Sequence, residues 1–355
     1  MNFSTLRTKL ISVFLLFATS IPCAKAQDAA KHDSAGFDMK SFIFGHISND
    51  YEFHITDIGE HKISLPLPVI LKSEDRGWFV FLSSKFHHKT ESYKGFAVET
   101  EGKYKGKIME IMPDGTKIRP IDLSISKNVF ALLFTVFILS AVMIHVKRRY
   151  KRDPLKAPRG IQALLEPVIL FVTNDIAKPT IGKGYEKYLD YLLTVFFFIL
   201  TLNLTGLIPL FPFGANVTGN INCTAALALC TFALTMCSTG KHYWIHKLWT
   251  PGVPLWLKIP LPLMPLVEII SMFTGPIALC IRLFANILSG HMIVIVLIGL
   301  IFIFSSLGAA FGSGIAIGSV LFSTFMMALD VLVSCIQAYV FTLLSALYFS
   351  GAKHG

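Results

Sequence analysis

The sequence predicts an all-α polytopic membrane protein. It should have about five membrane helices, ending in a long, strongly tilted helical hairpin, with a small β-rich domain ahead of them. Three observations carry that expectation. Of 355 residues, 53% are hydrophobic and 15% charged, whereas soluble domains carry about a quarter charged. Five apolar stretches after residue 128 are long enough to cross or overrun a bilayer. Residues 27–127 are instead polar and hold strand and turn signals. The formal charge is +10, but much of it is clumped in one loop. That is the pattern of a cytoplasmic membrane loop, not of a nucleic-acid surface.

The first 26 residues read as a secretory signal. Arg7 and Lys9 precede the apolar core "LISVFLLFATSIP", and "AKAQ" places a cleavage site after Ala26. An uncleaved first membrane helix is the alternative, with a run short for a span. Residues 27–127 then form an exported domain. "HKISLPLPVIL" and "GWFVFLSSKF" read as strands, and "IMEIMPDGTKIRPIDL" as a hairpin closed by Asp-Gly. Six of the eleven histidines lie there, including His87 and His88, at spacings that fit no metal site and suit a solvated surface. Once Cys23 leaves with the signal, this domain has no cysteine and no disulfide. Cys223, Cys230 and Cys237 recur every seven residues, which reads as small packing residues on one buried helical face.

Residues 128–355 form the membrane domain. The first span, 128–146, is followed by "KRRYKRDPLKAPR", with seven Lys or Arg against one Asp. This loop belongs in the cytoplasm, which agrees with an exported N-terminus. Residues 160–178, interrupted by Pro167 and Asp175, read as an interfacial helix on the cytoplasmic side. Further spans are expected at 189–210 and 221–239, joined by the outer loop "FPFGANVTGN". "NLT", "NVT" and "NCT" match glycosylation acceptors, but their place in or beside the membrane makes the matches fortuitous.

Two overlong stretches follow. Residues 261–305 would make one helix of about 67 Å against a hydrocarbon core of about 30 Å, and 315–350 is similar. Both must be steeply tilted or broken. "GPI" at 275–277 is a candidate kink. "GAAFGSGIAIG" offers a turn and two small-xxx-small spacings for close packing of the pair. Five crossings place the C-terminus, with Lys353 and His354, inside.

The last two stretches hold few ionisable groups: Glu268, Arg282, His291 and Asp330, joined by the polar Asn286 and Gln337. Each charge at bilayer depth costs about 2.5–3.5 kcal/mol, so a partner, a water path or an ion is expected beside it. A buried Arg282–Asp330 pair that only positions helices is one possibility. Spacing offers another. Arg282, Asn286 and Ser289 share one helical face, as do Asp330, Ser334 and Gln337, so two polar stripes on neighbouring helices outline a path. His291 lies nine residues beyond Arg282, half a turn away in projection. It is either a hydrogen-bonded core histidine or, with Asp330, a proton relay. Arg282 cannot hand on a proton at working pH, but it can hold a carboxylate ionised and repel cations.

"GPIALCIRLFANILSGH" with "LDVLVSCIQAYVFTLLSALYFS" closely resembles subunit a of F-type ATP synthases, and "NLTGLIPLFPFGANVTGNINCTAALAL" resembles the same family's second and third spans. The resemblance covers about 160–350. The signal and exported extension match only some bacterial members. The resemblance implies a bacterial inner-membrane subunit without catalytic, cofactor or metal sites. It implies as partners the c-subunit ring, the b-subunit peripheral stalk, the rest of the complex and lipid, with no nucleic acid. Arg282 matches the essential arginine facing the c-ring carboxylate. Asn286, Gln337, His291 and Asp330 match outer half-channel positions, and Glu268 one near the inner half-channel. Some members carry a carboxylate at the His291 position and an imidazole at the Asp330 position; here the two are exchanged. Gly206 stands where some members carry Asp. A self-sufficient transporter would need a complete site and often an internal repeat, neither of which is visible. A plain structural anchor would not need Arg282. No G-x-x-x-x-G-K nucleotide loop is present.

Overall fold

The computed structural model describes residues 49–354 except 59–60, 74–75, 90–91, 100–103, 105, 113–115, 153–156, 209–213, 240–262 and 306–308. The signal expectation therefore lies outside the described residues, as do the side chains of His87, His88, Lys353 and His354.

Among the described residues, the N-terminal domain contains eight strands: β1 (Glu52–Ile58), β2 (His61–Pro66), β3 (Pro68–Ser73), β4 (Gly77–Leu82), β5 (Phe96–Val98), β6 (Ile108–Ile111), β7 (Lys117–Ile118) and β8 (Ile121–Asp122). They form an antiparallel β1–β2 hairpin and two three-stranded sheets, ordered β4–β3–β8 and β5–β6–β7. The stretch "HKISLPLPVIL", expected as one strand, is two strands in different sheets. Pro66 and Pro68 carry no N–H to continue a ladder. Leu67 between them is held by Ser83 instead: its carbonyl accepts from Ser83 N–H at 3.0 Å and its own N–H donates to Ser83 Oγ at 3.1 Å. "GWFVFLSSKF" likewise ends as strand at Leu82 and turns into a 3₁₀ segment, Ser83–Lys89. The expected hairpin pairs Glu110 with Ile118 and Ile111 with Lys117. Val69, Leu71, Phe86, Phe96 and Ile108 form the core.

This domain pairs its buried polar groups. Glu110, 3% exposed, accepts from Ser73 Oγ at 2.9 Å and from Arg76 Nε and Nη2 at 2.9 and 2.5 Å. The Arg76 guanidinium lies over the Phe79 and Phe96 rings, 5.5 and 5.3 Å from their centroids. The Tyr51 hydroxyl donates to Asp122. Burial, reinforced by that carboxylate, holds the phenol well above its ordinary value.

Among the described residues, five helices are long and apolar enough to cross a membrane. They are α1 (Lys127–Arg152), α3 (Glu186–Leu207), α4 (Ile221–Ser238), α5 (Leu263–Ser305) and α6 (Ala309–His354). A shorter helix, α2 (Ile161–Phe171), precedes α3 and runs through a π-helical turn, Val172–Ala177, into the short segment Lys178–Ile181. This is the region expected to be interfacial. The structure adds that Val172, Ile176, Ala177 and Ile181 are fully buried in the main membrane core, with Leu192, Ile199, Leu279, Leu283, Phe341 and Phe349. α5 continues through Pro276, and at 43 residues, about 65 Å, it is far longer than an upright span needs.

Two expectations are corrected. Cys230 and Cys237 are exposed and only Cys223 is partly covered, so the cysteine face is not a buried packing face. α4 turns its threonines inward instead: Thr224, Thr231 and Thr235 are buried, each hydroxyl donating to a carbonyl three or four residues back. Of the two "GAAFGSGIAIG" spacings, Gly314–Gly318 does not mark close packing, while Gly308 of the other lies outside the described residues. A Cβ placed on Gly314 or Gly318 would meet nothing within 4 Å, and α6 is already helical from Ala309. The chain divides into two compact units, 47–292 with 326–355 and a second containing 293–325. Within the first, close approach occurs at Gly275 and Gly290 of α5 and at the buried Ser334, Ala338, Ser345 and Ala346 of α6. Without a hydrophobic force between helices in lipid, such small residues allow the contact that van der Waals packing needs.

Candidate functional site

The site is built where α5 and α6 run antiparallel beside α3. Two contacts set their register. The Asp330 carboxylate lies against Gly290, where an added Cβ would come within 2.6 Å of both oxygens. The Tyr348 hydroxyl lies against Gly275, 2.5 Å from an added Cβ. A side chain at 290 or 275 would therefore have to displace the Asp330 carboxylate or the Tyr348 ring, so glycine there answers to close approach and not to backbone angle.

Arg282 stands between these contacts, on the exposed side of α5. Ala278, Ile281, Ala285 and Ser289 are exposed around it, so the charge sits in an open, largely apolar helix face. Among the described residues it makes no hydrogen bond or ion pair. An Arg282–Asp330 pair is thus not formed. Asp330 is anchored at Gly290, eight residues along α5, about 12 Å from the level of Arg282. Side chains on a helix lean toward its N-terminus, which carries the Arg282 guanidinium toward Gly275 and into electrostatic range of the Tyr348 hydroxyl.

The polar groups gather on the other side of α5. His291 turns toward α3, with Nε2 4.0 Å from a Cβ built on Gly206. The Ala215 carbonyl approaches the same Gly206 position to 3.4 Å, and that turn is tied down by Gly214 N–H donating to Thr205 O at 3.1 Å. Asn203 lies one turn before Gly206 on α3 and is 1% exposed. Buried polar atoms without a hydrogen-bond partner include both amide atoms of Asn203, His291 Nε2, Asp330 Oδ2 and Ser334 Oγ. Each would normally cost about 1–3 kcal/mol to leave unpaired. Their concentration in one region of a membrane domain is the main chemical feature of the molecule.

The two polar stripes read from spacing do not face each other. The α5 stripe points outward, with Arg282 and Ser289 exposed and Asn286 half-buried. The α6 stripe points inward, with Ser334 fully buried and Asp330 and Gln337 half-buried. The Glu268 side chain lies outside the described residues. Sequence reasoning missed Asn203, Gly290 and Tyr348. For Asn203 a signal existed: a strongly polar amide in the middle of a span, three residues before Gly206. Gly290 and Tyr348 carried none.

A family model described as ATP synthase A chain matches residues 129–350. The chain belongs to the ATP synthase A chain family. Similar proteins include ATP synthase subunit a of Chloroherpeton thalassium, 42% identical over 64% of this chain and 66% of that protein. Subunit a 2 of Chlorobaculum tepidum is 42% identical over 65% and 64% of the two chains. Subunit a of Anaeromyxobacter dehalogenans is 36% identical over 74% and 68%. The chain thus spans just under two-thirds of the length of the first two relatives. A second model, a domain of unknown function (DUF8433), matches residues 42–125. The A chain match begins two residues into α1 and ends at 350, so every residue of the polar cluster lies within it.

Proposed function

We propose that this chain is the proton-translocating stator subunit of an F-type ATP synthase membrane sector, and that it works through two half-channels against a ring of c subunits. The observation that carries this reading is the split of α5. Arg282 is exposed and, among the described residues, unpartnered on one side, while on the other the buried Asn203 and Ser334 and the half-buried His291 and Asp330 each hold a buried atom without a hydrogen-bond partner. A lone charge on an open apolar face requires a partner of opposite charge from another chain, and a c-ring carboxylate supplies it.

In this mechanism a proton enters from the outer side through Asn203, His291, Asp330 and Gln337. The heavy atoms of His291 and Asp330 share no direct hydrogen bond, so bridging water carries the proton between them. The proton neutralises a carboxylate that Arg282 has held ionised. At about 4 Å and an effective dielectric near 20 that attraction is about 4 kcal/mol, or about 10³-fold in ionisation. The neutral carboxyl then turns into lipid at low desolvation cost. After nearly a full turn it reaches an inner route near Glu268 and releases its proton. Asn286, one turn beyond Arg282 on the same face, steers the incoming carboxylate. Arg282 blocks direct leak because it cannot deprotonate. The N-terminal domain and the 214–220 turn lie outside the cytoplasm, and the basic end of α1 and the C-terminus lie inside. The peripheral stalk and the catalytic sector complete the assembly.

Arg282→Ala in the reconstituted complex should assemble and lose ATP synthesis under an imposed proton gradient, with raised passive leak. Normal synthesis would sink the gate.

A further inference from the structure

The sheet β4–β3–β8 has two faces of opposite role. One carries Val69, Leu71, Phe79 and Phe81 into the domain core. The other displays three cross-strand rows. The first is Trp78, Lys72 and Ile121, paired directly in the ladder. The second is Val80, Ile70 and Leu123, the last donating its N–H to Ile70 O at 3.0 Å. The third is Leu82, Pro68 and Ile125, with Ile125 N–H donating to Pro68 O at 3.1 Å. Only Lys72 is polar. Trp78, Val80, Leu82, Ile121 and Leu123 are between 50% and 68% exposed. The open face of an antiparallel sheet in water is ordinarily polar, and contiguous apolar patches of this kind mark an interaction surface.

The occupant follows from where the sheet is attached. The strand that supplies Ile121, Leu123 and Ile125 enters α1 two residues later. The junction is clamped: Lys127 N–H donates to Asp50 O at 2.9 Å, and Asn49 bonds Ser126 Oγ and Asn128 N at 3.0 and 3.1 Å. No slack linker separates the apolar rows from the helix. α1 continues the apolar surface at once, with Val129, Leu133 and Phe137 exposed on its lipid-facing side. Leu65 of β2 packs with Ala131, one turn inside α1, and with Ala215 and Val217. Lys72 Nζ lies 5.7 Å from the centre of the Trp78 ring, and tryptophan with lysine is the side-chain pair that headgroup regions favour.

We infer that the exposed face of the β4–β3–β8 sheet rests on the lipid surface, with Trp78 and Lys72 at headgroup level and Val80, Leu82 and Leu123 at the acyl boundary. This stands independently of the proton-translocation reading.

The test uses the full-length chain with Trp244, Trp249 and Trp256 changed to Phe, leaving Trp78 as its tryptophan, reconstituted in phosphatidylcholine vesicles. Vesicles with brominated acyl chains should quench Trp78 emission, and aqueous acrylamide should quench it little. Val80→Glu should lift the face off, so that acrylamide quenching replaces bromine quenching. Quenching of the parent protein by acrylamide alone would show the face in water and overturn the inference. Quenching by neither would show it covered by protein and overturn it equally.

Discussion

The N-terminal domain and the membrane domain treat polar side chains in opposite ways. In the first, the buried carboxylate Glu110 is matched by Ser73 and Arg76, and Tyr51 is matched by Asp122. In the second, embedded in hydrocarbon, Asn203, His291, Asp330 and Ser334 keep unpartnered atoms and Arg282 stands on an open face. An unpaired polar group is more costly in lipid than near water. The chain tolerates the expensive arrangement where it is least expected. Pairing in the first region serves folding, whereas under the proposed function the groups left unpaired in the second are the ones that exchange protons and meet a c-ring carboxylate.

The contrast is broken or sharpened by single substitutions. The largest effect belongs to Asp330→Asn, which removes a proton carrier and should slow proton flux in vesicles by about 10²-fold. It should barely change thermal stability, because no partner is lost; a large drop in melting temperature with normal flux would make Asp330 structural. Glu110→Ala is the converse. It strands Ser73 and Arg76 and should destabilise the N-terminal domain by about 2 kcal/mol while leaving proton flux unchanged, which denaturant titration and a flux assay together decide. Gly290→Ala places a methyl where the Asp330 carboxylate lies and should slow flux roughly ten-fold by displacing it; unaltered flux would show that the carboxylate position is not critical.

The smallest effect is Tyr51→Phe, worth about 1 kcal/mol. Here the pH dependence has a definite sign. The phenol is held above its ordinary value in the fold, so its contribution is present in full below about pH 10 and is lost as pH rises from there through the raised folded value. Unfolding curves of parent and variant should converge at strongly alkaline pH.

Much of the fold was legible because membrane spans write themselves as long apolar runs, and a bilayer leaves the backbone few alternatives. The five spans could be read this way, and alternation with turn residues showed strands within 61–73 and 77–82 and the hairpin arms at 108–111 and 117–118, but not the 3₁₀ segment at 83–89 or the transfer of 121–122 to the edge of β3. The splitting of 61–71 at Leu67 could not, since two prolines permit a change of sheet but do not require one. Glycine spacing was equally ambiguous. Gly314 and Gly318 have the period of a packed helix face and meet nothing, while Gly275 and Gly290 lack that period and carry the contacts. The cysteines at seven-residue intervals share a face, but periodicity does not say whether that face is inside or out.

By itself the sequence determined which groups are costly: an arginine, an imidazole and a carboxylate within apolar helices are conspicuous because the solvent is lipid, and their solvation penalty needs no coordinates. What only the tertiary structure decided is which of them share surroundings. Arg282 and Asp330 were natural partners by charge, yet the register of α5 against α6 puts Asp330 on Gly290 and leaves Arg282 facing outward. Asn203 joins His291 because α3 brings Gly206 beside the imidazole. Those placements depend on the shape of side chains many residues apart, and helix packing in lipid, lacking a hydrophobic force, is set by that shape alone.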